Sequence, residues 1–182
     1  MNYLSDEKQI KRIQTLKSKG NYEDGIKLCN DFLKKYPEAW IGYREKADIL
    51  CLQGKHQEAM IERQKLAELN SEEPADYYDL ARLALTLGDN TNCVKWADTC
   101  LSWSKIHQHT YYSQASNFYK AVALKNLGCF TDALDVCGSL DDGYGTFISG
   151  EGFVVKEDLI KICKANLGCT NAKVRSWNFD DI

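Results

Sequence analysis

Proline is nearly missing: Pro37 and Pro74 are the only two in 182 residues. A proline inside a helix removes a hydrogen bond and clashes with the preceding turn, so its scarcity favours long uninterrupted helices. Histidine is almost as rare, with His56, His107 and His109 the whole supply. None of them lies beside a close cysteine pair, and no two cysteines have C-x-x-C spacing, so the ligand pairs of a zinc site are missing. The chain also lacks G-x-S-x-G, H-E-x-x-H and Walker sequences, which removes the local signatures of common hydrolases and nucleotide enzymes. No uncharged apolar run reaches the ~18 residues of a membrane helix. The amino terminus, MNYLSDEKQIKR, does not place a basic segment before an apolar run as a secretory signal does. Positive charge is not in excess: the net charge of −3 leaves no reserve of Lys and Arg for neutralising phosphates. The expectations are a non-enzymatic protein without metal or cofactor, with no nucleic-acid or membrane partner, resident in the cytoplasm.

What is present fits one folded domain. Hydrophobic residues make up 44% and charged residues 27%, enough apolar side chain for a continuous core at this length. The basic run from Lys8 to Lys19 is interleaved with apolar residues at helical spacing and reads as the solvated face of a first helix. The eight cysteines are spread almost evenly and read as buried free thiols, small hydrophobes in a reducing compartment. His107 and His109, in WSKIHQHTYY, are two apart and read as incidental residues of a surface loop.

Comparison of the chain with itself is productive. GNYEDGIKLC, GKHQEAMIER, GDNTNCVKWA and GCFTDALDVC open at Gly20, Gly54, Gly88 and Gly128, at intervals of 34, 34 and 40 residues. A weaker copy, GCTNAKVRSW, opens at Gly168, a further 40 on. Each glycine stands between two helical patterns. Before Gly54, for example, Tyr43, Ala47, Leu50 and Cys51 form one amphipathic stripe. Glycine takes the left-handed conformation that ends a helix at little steric cost. Each unit is therefore a helix, a tight glycine turn and an antiparallel helix.

Spacing and residue types together resemble the tetratricopeptide repeat, a 34-residue helix-turn-helix unit. With Trp40 as the first position, Tyr43, Ala47, Gly54, Ala59 and Leu66 fall where the family has its signature residues. Arg63 departs from an apolar position and Ser71 from the position of proline. The third copy, from Pro74, matches through Tyr77, Leu80, Ala81, Gly88, Cys93, Ala97 and Cys100; the fourth matches through Ala121, Gly128, Ala133, Cys137 and Leu140. The first is looser, with Ile13 at a small position, while Tyr22, Cys29 and Pro37 fit. The resemblance implies an all-α fold, a right-handed superhelix (α-solenoid) of antiparallel helix pairs, in a single domain over 1–182. Its repeats are expected at about 6–39, 40–73, 74–107, 114–142 and 154–176, with insertions at about 103–113 and 141–153. It also implies that Cys29, Cys93, Cys100 and Cys137 are buried on second helices, and that bulky residues at Ala47, Ala59 or Ala81 would force helices apart.

In such a stack the first helices line a concave surface, the usual place for partners. The register directs Arg44, Asp48, Tyr78, Asp79, Arg82, Phe118, Tyr119 and Val122 into it, with mixed charge at the centre and aromatic side chains towards the fourth repeat. The function expected is a protein-interaction scaffold holding a peptide or helical segment, polar groups on Arg44, Asp48, Asp79 and Arg82 and an apolar anchor near Phe118 and Tyr119. The alternative is a dedicated chaperone or neutralising partner of a single client. An acidic heat-shock chaperone tail is not expected: the positions that clamp it elsewhere in the family carry Ile10, Gln14, Glu45, Ala75 and Asp79, and the last carboxylates would repel it.

Two segments stand apart. DDGYGTFISGEGF, residues 141–153, has neither the preceding strand nor the G-K-[ST] ending of a phosphate loop. It reads as an insertion that frees the last helical pair from the regular angle, with Phe147, Ile148 and Phe153 packing onto the fourth repeat or lining the groove's end. In the carboxyl-terminal AKVRSWNFDDI, Trp177, Phe179 and Ile182 are expected to fold back or dock onto a partner.

Overall fold

A computed structural model describes residues 7–175, with side chains to Leu167; Trp177, Phe179 and Ile182 lie outside. Its helices are α1 (Glu7–Ser18), α2 (Tyr22–Lys35), α3 (Trp40–Leu52), α4 (His56–Glu68), α5 (Pro74–Thr86), α6 (Asn90–Ile106), α7 (Ser113–Asn126), α8 (Phe130–Cys137) and α9 (Lys156–Arg175). Between α8 and α9 lies an antiparallel hairpin, β1 (Gly145–Ile148) with β2 (Gly152–Val155). Each helix packs on the next, and α1–α3, α5–α7 and α7–α9 also touch, so successive pairs stack into a right-handed superhelix.

The repeating glycines act through backbone conformation and not through space. Gly54 has φ of 72°, and a Cβ there would meet nothing within 4 Å. Its N–H donates to Cys51 O while Lys55 N–H donates to Leu50 O, both at 2.9 Å. This double closure satisfies the last carbonyls of α3. The same pair of bonds recurs at Gly20, Gly88 and Gly128. Further signals fix the α5–α6 pair: Pro74 occupies the first turn of α5, where no N–H is needed, and Asp89 caps α6 by accepting from Asn92 N–H at 3.1 Å.

Small residues fill the sites of closest helix approach: Ala47, Ala59, Ala81, Ala97, Ala121 and Ala133 are all fully buried. Cys29, Cys93, Cys100 and Cys137 are fully buried and free, and Cys163 joins them. Burial pushes the Cys29 and Cys93 thiols up to about 12 and Cys137 to about 11, because a thiolate is poorly solvated there. Cys129 is exposed.

Three expectations are corrected. The six surplus residues before the fourth repeat do not form a connection over 103–113; α6 continues to Ile106, leaving 107–112 as the link. His107 stacks on Trp103 at 5.6 Å and His109 on Tyr112 at 5.8 Å, so both rings are occupied by aromatic packing. The fifth unit is not a helix pair among the described residues, because α9 runs through Gly168, where a turn was expected. Finally, 141–153 does not pack all of Phe147, Ile148 and Phe153 onto the fourth repeat. Its Gly-rich sequence supplies the positive φ of Gly143, Gly150 and Gly152 around a hairpin, and the strand period divides its apolar residues. Ile148 and Val154 are buried, whereas Phe147 and Phe153, paired across the strands, are 71% and 69% exposed.

Candidate functional site

The first helices α1, α3 and α5 bring a dense set of charges to the concave side. At its centre is Arg63 of α4, only 4% exposed, at the very position where the repeat pattern has an apolar residue. An unpaired buried guanidinium would be very costly, so its presence requires carboxylates. Asp48, Asp76 and Asp79 supply them: Arg63 NH1 lies 3.2 Å from Asp76 Oδ1, NH2 lies 2.7 Å from Asp79 Oδ2, and NH2 also donates to Asp48 Oδ1.

Asp76, 1% exposed, collects further donors. Arg44 forks onto it through Nε at 2.9 Å and NH2 at 2.8 Å, and Ser71 Oγ donates at 2.6 Å. Both departures from the repeat pattern, Arg63 and Ser71, thus meet on one carboxylate. Trp40 backs the Arg44 guanidinium, which lies 4.4 Å from its ring centroid. On the α1 side Lys17 Nζ sits 3.0 Å from Asp48 Oδ2 and 2.6 Å from Glu45 Oε2, the latter an ionic contact off the hydrogen-bond direction. Gln14 donates to the other oxygen of Glu45 at 2.7 Å. Burial opposes the Lys17 charge, but the combined attraction of Glu45 and Asp48 outweighs it and raises the ammonium pKa. On the other side Arg82 NH2 meets Asp79 at 3.2 Å and Cys51 Sγ at 4.0 Å. Four cations (Lys17, Arg44, Arg63, Arg82) thereby face four carboxylates (Glu45, Asp48, Asp76, Asp79), and the cluster is charge-balanced.

Beyond Arg82 the surface turns aromatic. Tyr78 stacks on Tyr119 at 5.6 Å, with their hydroxyls 3.3 Å apart, and on Tyr112 at 5.0 Å. Burial, then the Tyr78 hydrogen bond, raises the Tyr119 pKa, so this phenol stays protonated.

The structure therefore distributes the eight groove residues expected from sequence unevenly. Arg44, Asp48, Asp79 and Arg82 come together in the ion-pair cluster, and Tyr78 and Tyr119 form the shelf beside it. Phe118 and Val122 do not line a groove; both are fully buried. The reason is the hairpin segment. Tyr144 packs on Phe118 at 5.5 Å, and Ile148 belongs to the same core as Phe118, Tyr119 and Val122. Glu151 at the hairpin turn bonds Lys125 of α7 at 2.9 Å, and buried Lys156 ties its base to Leu140 O at 2.8 Å and Asp142 at 2.9 Å. The insertion folds over the face of α7 that would otherwise continue the groove. What is left at this end is a small cleft of about 180 Å³ between Arg82, Leu85, Tyr119 and Phe147. The expected repulsion of acidic tails by Glu45 and Asp79 is likewise offset, since each is held by a cation.

Sequence inspection missed Asp76 and the role of Arg63. The available signal was the arginine itself, sitting in a buried position with three aspartates within reach of neighbouring helices. Among the described residues no group of three or more His, Cys, Asp or Glu side chains could hold a metal ion, and no helix is long and apolar enough to cross a membrane.

No family model matches the sequence, and no curated protein sequence does either. Solved structures do resemble the fold. A crystal structure of MamA protein superposes with a TM-score of 0.73 at 14% identity, covering 92% of this chain and 85% of that one. YrrB, described as a TPR protein with an unusual peptide-binding site, gives 0.70 at 13% identity over 94% and 84%. The TPR-like repeats of a putative kinesin light chain from Podosopora anserina give 0.64 at 12% identity over 94% and 91%.

Proposed function

From the tetratricopeptide-repeat fold of this chain we propose that it is a non-enzymatic interaction module, one that holds a segment of a partner protein on the concave face of α1, α3 and α5. The observation that carries this is the junction of the charge-balanced cluster with the tyrosine shelf. Arg82 and Tyr78 remain partly accessible there, beside a cleft that is walled by the hairpin. Tyr and Arg supply large contact area and directional hydrogen bonds, and dominate binding hot spots. Their positions are already fixed by Asp79 and Tyr119, so little side-chain entropy is lost on docking. One protein of the same fold is described as having an unusual peptide-binding site, which supports peptide binding as a use of the fold.

The balance of charge also bears on the kind of segment held. A cluster whose four cations already meet four carboxylates gives no strong preference for a highly charged tail, and the residues that clamp acidic chaperone tails are replaced by Ile10, Gln14, Glu45, Ala75 and Asp79. The segment expected is extended or helical, weakly charged, with an apolar or aromatic anchor against Tyr78, Tyr119 and Phe147.

The test is affinity capture with wild type and a Tyr78→Ala, Arg82→Glu double variant, followed by calorimetry with the segment identified. Loss of the partner, with the melting midpoint within a few degrees of wild type, is the expected result. Undiminished recovery by the variant would place the site elsewhere. One abundant partner at equal stoichiometry would favour the single-client use, and several partners an adaptor.

A further inference from the structure

An open cleft lies off the concave groove, at the edge of the solenoid where the α4–α5 connection meets the start of α3. Its volume is about 820 Å³. Trp40 and Leu69, 38% and 37% exposed, give it an apolar floor beside Pro74. Glu38, Glu72 and Glu73, all exposed, stand on its rim, and none of the three forms an ion pair among the described residues. Its one arginine, Arg44, is already forked onto Asp76, and the cluster behind it is charge-balanced. The three rim carboxylates therefore set the sign of the cleft.

We propose that this cleft is a second interaction surface, independent of the concave groove, and that it takes a basic segment of a partner protein. An arginine or lysine side chain has an aliphatic stem and a charged head. The stem suits Leu69, and the head reaches the rim carboxylates. Carboxylates are the natural partners of the planar fork, as Arg44 on Asp76 shows within the chain. The apolar floor alone would not choose between occupants; the sign of the rim does.

Calorimetry with an end-capped peptide of alternating arginine and glycine tests this, with the glutamate-glycine counterpart as the control of opposite sign. Saturable binding of the basic peptide at low salt is expected, weakened tenfold or more at 0.5 M salt because the rim is exposed, and no binding of the acidic one. Glu72→Gln with Glu73→Gln should weaken binding about tenfold with an unchanged melting midpoint. Glu58→Gln with Asp132→Gln removes the same charge away from the cleft and should leave binding within twofold. The Tyr78→Ala, Arg82→Glu variant should also bind normally, which separates this surface from the groove. Equal loss in the two glutamine pairs would reduce the effect to general attraction by an acidic protein and overturn the proposal, as would absence of binding at low salt. Spermidine binding as tightly as the peptide would overturn the assignment to a protein segment.

Discussion

Asp76→Asn is the sharpest probe of how the concave cluster is built. The substitution keeps the size and shape of the side chain and removes its charge. Asp76 accepts from two nitrogens of Arg44, one of Arg63 and the hydroxyl of Ser71, at 2.6 to 3.2 Å, while 1% exposed. Asparagine offers one oxygen in place of two and turns an NH₂ group towards guanidinium donors. Removing one member of a buried ion pair costs about 3–5 kcal/mol, because the other charge stays buried without compensation. In a chain of this length each kcal/mol lowers the melting midpoint by about 2–4 °C, so the expected fall is roughly 6–20 °C. Circular dichroism at 222 nm, with Glu72→Gln as an exposed control expected within ~0.5 kcal/mol, measures it. Adding Arg63→Met should cost less in the Asp76→Asn background than alone, with a coupling of about 0.5–3 kcal/mol. A midpoint within about 2 °C of wild type for Asp76→Asn, or strict additivity of the two changes, would refute the idea that the cluster holds α3, α4 and α5 together.

Two further outcomes follow from the core. Ala59→Arg and Ala81→Arg, each at a fully buried alanine, should each destabilise by about 1–3 kcal/mol through overpacking, read as a drop of several degrees; neutrality of both would break the repeat register. Among the described thiols, Cys129 should react with Ellman's reagent within minutes at pH 8, while Cys29 and Cys93 react only on unfolding. Their folded pKa of about 12 lies above the ordinary 9.0. The unfolded chain therefore sheds these protons first, and urea midpoints should fall as pH rises from 9 towards 12; a flat profile, or fast labelling of Cys29, contradicts their burial.

Much of the fold was legible because its determinants are local. A glycine at positive φ closes the first helix of each pair, α1, α3, α5 and α7, by bonds within five residues, and small residues recur at fixed distances from it, so both leave a period in the sequence. The cluster was legible only in part. Arg44, Asp48, Asp79 and Arg82 were directed inward by the helical register, but the choice of partners depends on how separate helices meet: Arg44 bonds Asp76 of α5 and not its own helix neighbour Asp48. The same register misplaced Phe118 and Val122. Their helix α7 is apolar on two faces, and only the hairpin, whose path is set by tertiary packing, determines that the second face is covered. Phe153 was misjudged for a related reason, while Phe147 lines the cleft at the groove's end: apolarity predicts burial for a residue, but on a two-stranded hairpin with one packed face the pleat decides which residues receive it.

The cluster and the tyrosine shelf also divide the superhelix mechanically. Charged contacts tie α1 to α3, and α3 to α4 and α5, whereas from α6 onward the helices are joined chiefly by aromatic and aliphatic packing, stapled at the far end by the hairpin. In a one-dimensional stack each unit answers to its neighbours alone, so a substitution that unbalances the cluster acts on the first part, whereas cold and denaturant, which weaken apolar contact, act on both. A partner spanning Arg82 and Tyr78 would touch the two parts where they meet.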